Sequence, residues 1–133
     1  MLKVFPIQSK TEQQALCARC GIPFRTELLA YQATVDDVFV GVCQFTLQPE
    51  GGILYHLAPV SDAQPDKEAL FVMGRAALNF IDLCGVHTAY FDGDTTVPGI
   101  KLLQAIGFKP DENGRLKMDL TNFFTTPCKH CQS

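Results

Sequence analysis

Residues 69–91 read ALFVMGRAALNFIDLCGVHTAYF, and the fold turns on a change of period inside them. Ala69, Val72, Met73, Ala76, Ala77, Phe80, Leu83 and Cys84 recur at intervals of three and four, the spacing of a helix with one apolar face, over about four turns. Gly85 then stands where a left-handed C-terminal cap belongs, because a residue without Cβ takes that conformation at no steric cost. His87 to Phe91 follows as a short strand. A helix that joins two strands of one sheet carries the chain back across it, so the strands on either side of this helix are expected to run parallel.

Upstream, the period is two. Leu29, Tyr31, Ala33 and Val35 alternate with more polar neighbours, Asp36 and Asp37 supply a tight turn, and Val38 to Leu47 is rich in β-branched and aromatic residues. Pro49, Glu50, Gly51 and Gly52 turn the chain again into Ile53 to Val60, which completes an antiparallel meander. Because Val38 to Val42 is apolar on both faces, its strand is expected inside a sheet covered on both sides. Leu2 to Ile7 reads as an opening strand. Ser9 or Thr11 caps the next helix, Ser9 lying three residues before Glu12 as in a capping box; that helix carries Ala15, Leu16 and Cys20 and ends at Gly21 and Pro23. Downstream, Pro98 is expected to open a helix with Ile100, Leu103 and Ile106 on its apolar side and Gly107 at its close. After an Asn113-Gly114 turn, Leu116, Met118 and Leu120 alternate with Lys117, Asp119 and Thr121. The order is β-α-βββ-α-β-α-ββ: an α/β fold whose mixed sheet, an antiparallel N-terminal meander joined to a parallel pair in the second half, is flanked by helices.

At 133 residues the chain is expected to be one domain, 1–133, with residues 125–133 an exposed tail. A hydrophobic content of 47% against 19% charged residues excludes disorder, and a net charge of −3 gives no footprint for nucleic acid or an anionic membrane. No apolar run reaches the length of a bilayer span, and MLKVFPIQSK lacks the apolar centre of a secretion signal, so the expectation is a soluble, cytoplasmic domain. Six cysteines include two C-x-x-C pairs, Cys17 with Cys20 and Cys128 with Cys131. Four thiolates suit a tetrahedral zinc site that would fasten the tail to the first helix; the alternative is plain burial of the first pair and an exposed second. Asp92 and Asp94 read as a solvated turn, and Phe123-Phe124 as an anchor for the last strand or a homodimer contact.

Three local sequences carry a resemblance over Leu2 to about Leu120. They are LYHLAPV ending the meander, LCGV before the strand HTAYF, and LLQAIGF in the last helix. Their order is similar to that of the GNAT acyltransferase superfamily, whose members move an acetyl group from acetyl-CoA to an amine. The resemblance implies acetyl-CoA as the cofactor, set against Leu57, Ala58 and Val60 on the fourth strand and against Lys67, Glu68 and Ala69 at the head of the long helix. There the family presents backbone N–H groups to the diphosphate from a loop patterned Arg or Gln, two residues, Gly, one residue, Gly or Ala. In this chain those positions are Pro65, Glu68 and Leu70, and no glycine occurs between Gly52 and Gly74. The family's frequent tyrosine acid falls on Leu103 and its asparagine on Thr96, so general-acid catalysis from that helix is not expected.

At the reaction centre that the resemblance implies, Tyr55 and His56 remain as catalytic candidates, with Cys43 on the neighbouring strand. Successive strand residues face opposite sides, so only one of Tyr55 and His56 is expected to look into the cleft; His56 is the better base because its reference pKa lies near neutrality. A second reading is a binding or structural module that kept the fold and lost CoA, dimerising or holding metal through the two cysteine pairs, with Tyr55 packing in the core and His56 half-buried at the surface.

Overall fold

A computed structural model describes residues 1–124; residues 125–133, expected to form an exposed tail, and with them the Cys128–Cys131 half of the expected zinc set, lie outside the described residues. The elements follow the expected order: β1 (Leu2–Pro6), α1 (Lys10–Arg19), β2 (Leu29–Val35), β3 (Val38–Gln48), β4 (Gly51–Pro59), α2 (Lys67–Leu83), β5 (Thr88–Phe91), α3 (Ile100–Ile106), β6 (Lys109–Pro110) and β7 (Leu116–Asp119). One sheet holds the strands in the order β1-β2-β3-β4-β5-β7-β6. Neighbours are antiparallel except β4 and β5, which run parallel because α2 returns the chain between them.

Local chemistry sets the boundaries. Asp36 and Asp37 both adopt positive φ, 52° and 68°, the conformation a two-residue hairpin turn demands and one that short polar side chains tolerate. Ser9 Oγ accepts the Glu12 amide hydrogen at 3.2 Å and so caps α1, while Asp66 Oδ1 accepts that of Ala69 at 2.9 Å and caps α2. Gly85, at φ 87°, ends α2 as its position predicts. Pro98 does not open α3: Gly99 is its N-cap, and the proline lies buried just outside.

The helices divide the core between the two faces of the sheet. Against α2 lies the larger cluster, where Leu70, Met73, Leu78 and Ile81 pack on Phe45, Leu54 and Leu57; α3 adds Leu103 and Ile106. Burying side chains of this size contributes about 1.5–3 kcal/mol each. Against α1 lies a smaller cluster of Ile7, Cys17, Cys20, Ala30, Phe39, Val42, Ala58 and Val60. β3 is thus covered on both sides, as its composition requires, although its outer end is open, with Val38 62% exposed.

Two helix faces differ from the sequence expectation. In α2 the buried stripe runs through Leu70, Gly74, Leu78 and Ile81, while Val72 and Leu83 face outward. Phe71, Val72, Ala76 and Phe80 make the helix apolar on most of its circumference, so periodicity does not fix its rotation. In α1 the buried residues are Gln13 and Cys17, with Cys20 buried at the C-cap, while Ala15 is exposed; Gln13 finds hydrogen-bond partners inside.

The first cysteine pair packs in the core. Burial pushes the thiol of Cys17 up to about 11 and that of Cys20 up to about 12, which disfavours the thiolate that zinc requires. Among the described residues no group of three or more His, Cys, Asp or Glu is placed to hold a metal ion. Among them, too, no helix is long and apolar enough to cross a membrane. Phe123 and Phe124 meet edge to face at 4.8 Å, with the Arg75 guanidinium over the Phe123 ring, and both pack on the larger cluster.

Candidate active site

β4 and β5 pair over only three residues each, Gly52 to Leu54 with Ala89 to Phe91. The Asp92 amide donates to the Leu54 carbonyl at 2.9 Å as the last rung, and beyond it the strands part. A cleft of about 380 Å³ opens there, walled by Tyr55 to Ala58 of β4, by Pro23 and Arg25 of the α1–β2 loop, and by Asp92 to Asp94 of the β5–α3 loop. At Gly93 that loop crosses so close to β4 that a Cβ would fall on the Tyr55 carbonyl.

β4 is irregular at this point. Gln44 pairs with His56, but the next residue of β3, Phe45, pairs with Leu54, so Tyr55 is one residue too many: a β-bulge. The bulge resets the alternation, which is why Leu54 and Leu57, three apart, both belong to the larger core cluster. It also brings Tyr55 and His56 to the same cleft, contrary to the expectation that one of them faces away.

The walls are tied by charge. Arg25 lies 4.7 Å over the Tyr55 ring, and its Nε donates to Glu27 at 2.9 Å. Arg115 donates to Asp92 through two nitrogens, 2.9 and 2.8 Å, and lies 3.7 Å over the Tyr90 ring, so the start of β7 holds the end of β5. Asp94 Oδ1 accepts from the amide and hydroxyl of Thr96, which hold its carboxyl below the usual range. His56 Nδ1 lies 2.9 Å from Nε2 of buried Gln44, and burial together with Arg25 holds its pKa below the ordinary value.

No family model matches the chain, and no curated protein sequence matches it. Solved structures do. An IAA acetyltransferase from Bacillus cereus superposes with a TM-score of 0.69 at 18% identity, covering 90% of this chain and 100% of that one. A Bacillus subtilis acetyltransferase in complex with CoA gives 0.69 at 16% identity, covering 90% and 99%. The PaiA N-acetyltransferase of Thermoplasma acidophilum, in complex with coenzyme A, gives 0.67 at 11% identity, covering 90% and 99%. The chain has the GNAT fold. At these identities the likeness is one of architecture.

Within the GNAT fold the residues expected to meet acetyl-CoA divide into three groups. Leu57 and Ala58 line the cleft, their side chains buried, so that backbone is what they offer. Val60 does not: its amide donates to the Val40 carbonyl at 2.9 Å, and its side chain belongs to the smaller core. Lys67, Glu68 and Ala69 form the first turn of α2, where Asp66 has taken the Ala69 amide, and Lys67 borders a second cavity of about 450 Å³ with Lys101 and the head of α3. Leu70, at the last of the three pattern positions, belongs to the larger core. Cys43 lies wholly buried in the larger core, where burial raises its thiol pKa. Leu103 is likewise buried, and exposed Thr96 is bonded to Asp94.

Gln13, Gln44, Arg25 and Arg115 escaped the sequence reading. Gln44 had a signal, a single amide inside the apolar run Val42-Cys43-Gln44-Phe45; the other three look like ordinary surface residues until the chain is folded.

Proposed function

We propose that this GNAT-fold chain is an N-acyltransferase moving an acetyl group from acetyl-CoA to a small amine, with CoA held by a cationic groove in place of a glycine-rich turn. The observation that carries the reading is the end of the β4–β5 pairing after Leu54, which leaves the β5-facing edge of β4 open from His56 to Ala58. The thioester supplies an activated carbonyl, at which a C–N bond forms as the C–S bond breaks. Lys67 and Lys101 bring two positive charges to the groove at the head of α2, where the amides of Lys67 and Glu68 have no partner within the helix. Against this stand the Glu68 carboxylate, the Asp66 carboxylate already seated on the helix end, and Pro65, which has no N–H. The thioester end therefore fits the cleft better than the diphosphate fits the turn.

Thermal unfolding with acetyl-CoA tests this. At a hundred times its dissociation constant a ligand adds about 2.7 kcal/mol, roughly 10 °C for a domain of this size. Lys67→Glu together with Lys101→Glu is expected to abolish the shift without lowering the unliganded Tm. A glycine-free turn capped by Asp66 favours a second reading, a binding or structural module of the same fold. No shift at millimolar CoA would establish that one instead.

A further inference from the structure

Gln44 is wholly buried on β3, and every hydrogen-bonding valence of its amide is committed. Its Nε2 donates to the Pro23 carbonyl and to His56 Nδ1, both at 2.9 Å. Its Oε1 accepts from Gln13 Nε2 at 2.8 Å and from the Arg25 amide at 3.5 Å. Gln13 is fixed in turn, since its Nε2 also donates to the Leu28 carbonyl at 3.3 Å and its Oε1 accepts from Lys10 Nζ at 3.1 Å. Turning either amide over would set oxygen against a backbone carbonyl and nitrogen against nitrogen, so two main-chain groups, Leu28 and Pro23, dictate the polarity of the whole series. Lys10, Gln13 and Gln44 each donate to the next, and the series ends on His56 Nδ1 as acceptor. An imidazole that accepts at Nδ1 is neutral and carries its hydrogen on Nε2. Among the described residues no side-chain nitrogen or oxygen is both buried and unpartnered, so Nε2 reaches the cleft that His56 lines.

We infer that His56 serves the cleft as a fixed hydrogen-bond donor through Nε2, not as a proton-accepting base, and that Gln44 is the positioning residue that makes it so. The one lone pair of the neutral ring is held by Gln44; protonation there would break that bond and set N–H against N–H. The charged groups around the ring are Arg25 from the α1–β2 loop, Asp92 and Asp94 across the cleft, occupied by Arg115 and Thr96, and Lys10 at the far end of the series. A donor at this place suits an oxygen on which negative charge grows. In the acyltransferase reading, on which this last step rests, that oxygen is the thioester carbonyl, and the amine's proton passes through water to the departing thiolate.

Histidine tautomers are read directly in long-range ¹H–¹⁵N spectra of ¹⁵N-labelled protein. At pH 7.5 the His56 ring is expected with a protonated Nε2 and a bare Nδ1. Gln44→Glu, which keeps the shape and places an acceptor at Nδ1, should move the hydrogen to Nδ1 and raise proton affinity tenfold or more, about one pKa unit. A wild-type ring protonated at Nδ1, an even mixture of tautomers, or a charged ring at pH 7.5 overturns the inference, and none of these depends on whether the variant folds. With acetyl-CoA bound, the Nε2 proton should shift, whereas CoA, which lacks the thioester carbonyl, should leave it in place; a bound acetyl-CoA that moves nothing also overturns the donor role. Failure of acetyl-CoA to bind sinks the acyltransferase reading alone, because the ligand-free spectrum still decides the tautomer.

Discussion

Gly93→Ala tests the architecture of the cleft at its tightest point. Gly93 is not in the left-handed region, so its φ does not require glycine; the Tyr55 carbonyl forbids a side chain, with the Phe91 ring edge crowding it further. To bring a methyl group and that oxygen to van der Waals separation, the loop must withdraw from β4 by about 1 Å or more. The neighbouring rung, the Asp92 amide on the Leu54 carbonyl at 2.9 Å, cannot survive that movement. Its loss contributes about 1 kcal/mol, and the crowding adds about 1–3 kcal/mol. A total of about 2–4 kcal/mol corresponds to a fall in Tm of roughly 8–16 °C for a domain of this length. Gly85→Ala is the control, because that glycine has φ 87° with open space around it, and its substitution incurs only the left-handed penalty of about 1–2 kcal/mol. Differential scanning calorimetry of both variants measures the contrast. If Gly93→Ala unfolds within about 2 °C of the parent, or is the milder of the two, the close crossing that shapes the cleft is wrong.

Acid should loosen the fold through His56. The unfolded chain binds a proton there near pH 6.5 and the folded chain only at lower pH, so this contribution is complete above about pH 6.5 and is lost as pH falls toward the folded value. Urea midpoints at pH 7.5 and 5.5 should therefore differ less in His56→Asn than in the parent; an unchanged difference refutes the assignment. Among the described cysteines, iodoacetamide at pH 8 should label Cys84, which is exposed, and spare Cys17, Cys20 and Cys43 until denaturant is added, as peptide mapping will show. Equal rates at Cys17 and Cys84 would mean that α1 does not pack as described.

The succession of elements was legible because each is punctuated by residues with one local meaning: Ser9 and Gly85 at helix ends, the Asp36–Asp37 pair between strands, and a period that passes from two to about 3.6 after Val60. What stayed hidden depends on residues remote in sequence. The rotation of α2 is fixed by what lies against it, not by a sequence apolar on most sides. Gln13 and Gln44 are 31 residues apart, and each reads as an oddity until the other satisfies it. The cleft itself arises where a strand pair ends after three residues, which no run of letters marks. His56 was visible as a candidate from its type; which of its nitrogens is free was not, because Pro23 and Leu28 decide that through two intervening amides.

The extra residue at Tyr55 has a consequence for how this strand can change over evolutionary time. Everything C-terminal to it in β4 is in phase with the sheet only because that one position is counted twice. Exchanging a side chain here alters one surface, but straightening the bulge with every residue kept would swap inside for outside along His56 to Pro59, turning His56 toward the α2 side and Leu57 toward the α1 side, whereas deleting Tyr55 itself would leave both where they are. The strand should therefore survive a shortening at Tyr55 more readily than one at any residue from His56 to Ala58.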